Sequence, residues 1–248
     1  MSTIYILWLR QLKRQWRSRA RMIGSLGQPL LFLLALGFGF GPIYAKAGGG
    51  SYIEFIGPGV VAMGIIFTSI FSGIEVIWDR QFGFLKETLV APVSRTHIMI
   101  GRTLGGATVA TIQGTLVLVI ACIAGFKIVS FSLLPFAILF MILTALVFTA
   151  FGTVIAINLS DMQAFPIIMN FVVMPLFFLS GALFPLNGFP HSIVIASRFN
   201  PLVYGVDGLR GALTGASNFS LGIDIIALAL IALAFIGIGS LLFSKVEV

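Results

Sequence analysis

Apolar residues run along this chain in long, nearly charge-free blocks, near 22–43, 53–77, 104–125, 132–157, 165–185 and 221–243. Each block is long enough to cross a hydrocarbon core roughly 30 Å thick as a helix. In lipid such a segment must be helical, because no water is present to satisfy exposed backbone N–H and C=O groups. The pattern predicts an all-α integral membrane protein with six transmembrane helices, and residues 1–248 read as a single transmembrane domain. Three polar or mixed intervals stand apart from it: 1–21, 79–103, and 186–220, which is too long for a turn.

Composition sharpens this. Charged residues make up 9% of the chain and hydrophobic ones 58%, where a soluble domain carries about 25% charged residues. The net charge of +7 would suggest nucleic acid in a soluble protein. Here it is expected to reflect loops facing anionic lipid, with no nucleic-acid partner. Of the 15 Lys and Arg, Lys46, Lys127, Arg198 and Arg210 fall on one side and the rest on the other. The positive-inside rule then places both termini in the cytoplasm, with 44–52, 126–131 and 186–220 outside. "AKA" at 45–47 resembles a signal-peptide cleavage site, but the charged stretch before it and the apolar run are both too long. The single Cys122 can form no disulfide within the chain.

The first polar interval is itself patterned. At helical spacing Tyr5, Leu9, Leu12 and Trp16 share one face, and Arg10, Lys13, Arg14, Arg17 and Arg21 another. Trp and Tyr favour the headgroup level, so the spacing predicts a helix lying flat on the cytoplasmic leaflet. Trp8, Leu12, Trp16 and Arg17 are its candidate interfacial residues.

Some chemistry is missing. No G-x-x-x-x-G-K-[S/T] occurs, so the chain has no phosphate-cradling loop of that type. No G-x-S-x-G, H-E-x-x-H or Cys/His metal cluster occurs either. Glu54, Glu75 and Asp224 fall near predicted span ends, whereas ion pathways usually place a charge near the bilayer centre. Polar residues inside spans are mostly suited to interhelical hydrogen bonds; Thr68, Ser72 and Asn170 are the candidates for a translocation path.

The second interval holds "GFLKETLVAPVSR", Gly83 to Arg95. Gly83 precedes a run, with Phe84, Leu85, Thr88 and Leu89, that is expected to form one short helix; Lys86 and Glu87 project from it and Pro92 ends it. Phe84, Leu85 and Leu89 as outward apolar knobs, flanked by the charge pair Lys86 and Glu87, make it a candidate docking surface. Its G-x-L-x-x-x-L-x-x-P-x-S-R spacing, with Gly101-Arg102 shortly after, resembles the membrane subunits of type-2 ATP-binding-cassette exporters. These include daunorubicin-type drug-resistance permeases and nodulation or polysaccharide exporters. "YIEFIGPGVV" (52–61), "PLFFLSGALFPL" (175–186) and "FNPLVYGVDGLRGAL" (199–213) resemble the same family, so the likeness covers nearly the whole chain. Lys86-Glu87 stands where many members carry Glu then Arg.

That resemblance implies a multi-pass, non-catalytic permease in the cell membrane of a prokaryote. It implies a homodimer binding two separate ATPase subunits, with no cofactor on this chain and ATP and Mg on the partner. It further implies that 79–103 is the coupling loop seated on the ATPase, that 1–21 is a connecting helix, and that 186–220 forms an external re-entrant segment. The cargo would be a hydrophobic or amphiphilic drug, lipid or glycan. The rival readings are an ion-coupled carrier or channel, and a membrane-bound lipid-modifying enzyme.

Overall fold

The computed structural model describes residues 3–46, 51–90 and 92–245, apart from the side chains of Arg21, Lys86, Leu89 and Asn187. Among these residues the chain is helical and has no strand. α1 (Thr3–Arg17) leads into α2 (Arg19–Lys46); α3 (Tyr52–Phe71), α4 (Ile74–Gln81) and the short α5 (Phe84–Val90) follow. Next come α6 (Arg95–Ile123), α7 (Leu134–Asn158) and α8 (Ala164–Phe178). The chain closes with α9 (His191–Ser197), α10 (Pro201–Thr214) and α11 (Leu221–Lys245).

Among the described residues five stretches are long and apolar enough to cross a bilayer: Met22–Lys46, Tyr52–Gln81, Arg95–Ile123, Phe131–Asn158 and Leu221–Lys245. The run expected to cross over 165–185 is helical for only 15 residues, about 22 Å. Beyond Phe178 the chain turns through Gly181 at a φ of 77°, a conformation that suits glycine. The helix expected to start at 104 starts nine residues earlier. Ser94 caps it, its Oγ accepting the His97 N–H at 3.3 Å, which satisfies a first-turn donor. Residues 95–103, read as loop from their charges, are therefore its first turns.

α3 forms the centre of the bundle, with residues 56–66 all buried, and α2, α6, α7 and α10 pack around it. The run expected over 53–77 is broken at Ser72–Gly73. There the backbone of α7 comes against the rod: a Cβ on Gly73 would lie 2.5 Å from the Gly152 carbonyl oxygen, and one on Gly152 2.6 Å from that of Ile70. Small residues permit such crossings without a hydrophobic drive. On the periphery, α2 and α11 turn Leu31, Phe38, Leu233 and Leu241 outward, as a lipid-facing surface does.

At the end of the bundle where α3 begins, α9 and α10 form a two-helix cap. Asn200 accepts the Leu202 N–H at 3.0 Å and donates to the Leu176 carbonyl at 2.6 Å, joining α10 to α8. Asp207 accepts from the backbone N–H groups of Asn218 and Phe219 and from the Asn218 amide, at 2.7–2.9 Å. Arg210 donates to the Gly181 carbonyl at 2.8 Å and lies 4.4 Å over the Phe55 ring. These bonds tie the long interval to the start of α3 and to the turns before α11.

Candidate coupling site

The opposite end gathers α1, α4, α5 and the start of α6. α4 stops where the Gly83 N–H donates to the Arg80 carbonyl, and Gly83 takes a φ of 79°. That left-handed turn, natural for glycine, redirects the chain into α5. Thr88 bonds back to the Phe84 carbonyl at 2.9 Å. On this short helix Leu85 points inward and is 2% exposed, although it was expected to be an outward knob. Phe84 is half-buried, with the Arg10 guanidinium 3.7 Å above its ring. Glu87 and Pro92 are exposed. Among the described residues here, the large apolar ones that do face outward are Phe82 and Val90. Lys86 and Leu89 have side chains outside the described set. Leu85→Ala is therefore expected to act as a core truncation, costing about 2–5 kcal/mol. It should reduce the thermal midpoint and the membrane level together, a pattern that a purely surface contact would not produce.

Beneath α5, one carboxylate joins three helices. Asp79 on α4 is 5% exposed. It accepts both terminal nitrogens of Arg10 on α1, at 3.1 and 2.5 Å, and Nη2 of Arg102 on α6 at 2.5 Å. A turn back along α4, Glu75 sits 3.7 Å from Arg14, whose guanidinium also lies 5.2 Å from the Trp78 ring. Arg80 donates to the carbonyls of Ile157 and Leu159, at 2.6 and 3.2 Å, at the C-terminal end of α7, where a cation is favoured. α4 is thus bonded to α1, α6 and α7, and α5 meets α1 directly where Phe84 lies under Arg10.

α1 presents three faces rather than the two read from its pattern. Tyr5 and Trp16 are exposed, and Arg10 and Arg14 turn to α4. A third face packs along α6, both helices rising together. Ile4 and Leu7 meet Gly101, and Gln11 meets Gly105, where a Cβ would lie 2.6 Å from its Cγ. Trp8 donates to the Thr108 hydroxyl at 3.1 Å. Leu12 is half-buried, and Arg17 is exposed.

Thr68 and Ser72 line a cavity of about 560 Å³ between α1, α2, the α3–α4 break and α6, together with Gln11, Gln28 and Glu75. The Ser72 hydroxyl bonds the Ser69 carbonyl at 2.6 Å. Asn170 is exposed on α8 and is not part of this cavity. Of the three acids near span ends, Glu54 is exposed and Glu75 is near Arg14. Asp224 is fully buried, and neither of its oxygens has a partner among the described residues.

The fold and this site define a class: a multi-pass helical membrane subunit whose charged helices cluster at one end. Residues 2–214 match the family described as "ABC-2 type transporter", and the chain belongs to that family. It is 29% identical over 211 residues to Nodulation protein J of Rhizobium meliloti (strain 1021), covering 84% of this chain and 80% of that one. It is 29% identical over 252 residues to the transport permease ycf38 of Cyanophora paradoxa, covering 95% and 84%. The chain is thus a non-catalytic transmembrane subunit of an ABC transporter, and its family implies an ATP-binding partner subunit.

Proposed function

We propose that this chain is the permease of an exporter that carries a hydrophobic or amphiphilic drug, lipid or glycan out of a prokaryotic cell, driven by a separate ATPase. The observation that carries this reading is the Asp79 junction. One carboxylate joins three helices there, and Arg10 of that junction also lies over the Phe84 ring of the short, exposed-rimmed α5. A partner that closes on ATP and presses on α5 would move α1 and α6 as one body with α4. Phe82, Glu87, Val90 and Pro92 form the rim that such a partner would contact. Two ATPase subunits and a second copy of the permease complete the assembly, with ATP and Mg held by the ATPase. Both termini then face the cytoplasm, with the α9–α10 cap outside.

Two experiments test this reading. The purified chain alone is expected neither to bind nor to hydrolyse ATP, and a tagged chain is expected to bring down an ATP-binding subunit whose hydrolysis it stimulates. Saturable hydrolysis by the chain without that subunit would overturn the division of labour. In intact cells, a cysteine at Ser51 should label with an impermeant reagent and one at Ser94 should not; the reverse pattern would invert the topology.

A further inference from the structure

At the elbow where α1 ends and α2 begins, the two helices and the middle of α6 enclose a cavity of about 500 Å³. Leu12, Trp16, Met22, Val109 and Ile112 give it apolar walls. Lys13 and Arg17 also line it. Both are exposed, and neither is paired with a carboxylate among the described residues. Arg10 and Arg14 on the same helix, by contrast, are committed to Asp79 and Glu75. The cavity is also lined by Gln113, which is 1% exposed and whose amide Nε2 has no hydrogen-bond partner among the described residues.

Buried amide donors are nearly always satisfied, so Gln113 calls for an acceptor. Apolar walls, one buried unsatisfied donor in the wall and, at the rim, two cations unpaired among the described residues match an amphiphile whose acceptor oxygens lie between an anionic head and a hydrocarbon chain. We propose that the elbow is a discrete site for one anionic phospholipid. Its phosphate lies against Lys13 and Arg17, an ester carbonyl accepts from Gln113, and an acyl chain lies along Met22, Val109 and Ile112. The site differs from general attraction between a basic helix and a charged surface, because Gln113 and the walls recognise one molecule at fixed stoichiometry. The lipid is a resident of the fold, whatever the cargo.

The test is native mass spectrometry of the full chain in detergent, titrated with phosphatidylglycerol or with phosphatidylcholine of the same chain length. One phosphatidylglycerol per chain should be retained, with at least a roughly fivefold preference over phosphatidylcholine. Gln113→Leu, and separately Lys13→Gln with Arg17→Gln, should each lower that retention by about fivefold or more. Arg19→Gln, which removes an exposed cation that does not line the cavity, should leave it unchanged. Thermal midpoints are recorded for each variant. Gln113→Leu keeps a side chain of similar size in an apolar wall, and the surface pair Lys13/Arg17 provides a second reading that does not disturb the interior. Equal retention of both lipids, or retention indifferent to both sets of substitutions, would overturn the proposal. So would a shift in dimer fraction without a change in lipid retention, which would place a second copy of the chain in the elbow.

Discussion

Asp79→Ala is expected to destabilise the chain by about 3–5 kcal/mol, the range for removing one partner of a buried ion pair. The reason is what remains. Arg102 is 3% exposed, and without Asp79 its guanidinium has no anion in this junction. Arg10, with a side chain 33% exposed, can turn to water, so Arg10→Gln should cost much less. The pair Asp79→Leu with Arg102→Met should cost less than Asp79→Ala alone, because no charge is left stranded. Thermal midpoints in detergent would show this order. If Asp79→Ala melts like the unsubstituted chain, the junction does not hold the three helices together.

Gly152→Val is expected to have an effect of similar size through sterics alone. Any Cβ there meets the Ile70 carbonyl oxygen at 2.6 Å and the Ile70 Cα at 2.9 Å. These are backbone atoms of a central helix, so no rotamer change relieves the clash. Overpacking typically costs about 1–3 kcal/mol, and a branched side chain against backbone should reach or exceed the upper end. Folded yield after detergent extraction should collapse for Gly152→Val and fall less for Gly152→Ala. Gly27→Ala, where nothing lies within 4 Å, should extract normally. Normal extraction of Gly152→Val would mean that α7 and the α3–α4 rod do not approach this closely.

Membrane-length runs were readable because lipid leaves so few backbone options, and the family signature around Gly83 to Arg95 was readable as spacing. Other features depended on side-chain partners far away in the chain. The start of α6 was missed because Arg95, His97 and Arg102 look like loop charges, yet Ser94 was a visible cap. The inward turn of Leu85 could not be seen, since a seven-residue helix shows too little periodicity to choose a face. Arg10 finds Asp79 across 69 positions. The only hint was matched spacing: Arg10 and Arg14 are four apart, as are Glu75 and Asp79, which suits two helices side by side. The packing of α1 on α6 left a signal too, in Gly101 and Gly105, also four apart. The short α8 was hidden because hydropathy alone does not register the turn at Gly181.

The central claim is that an ATP-binding subunit seats on the exposed rim of α5 and that the Asp79 junction carries its motion into the bundle. The most direct measurement is how much of that subunit remains on the purified chain when Glu87→Lys and Val90→Asp are combined. Both positions face outward, so the membrane level and thermal midpoint should stay as they are. Retained subunit should fall at least about tenfold, equivalent to about 1.4 kcal/mol, and transport should fall with it. Full retention with normal transport would contradict the claim and leave α5 without a partner.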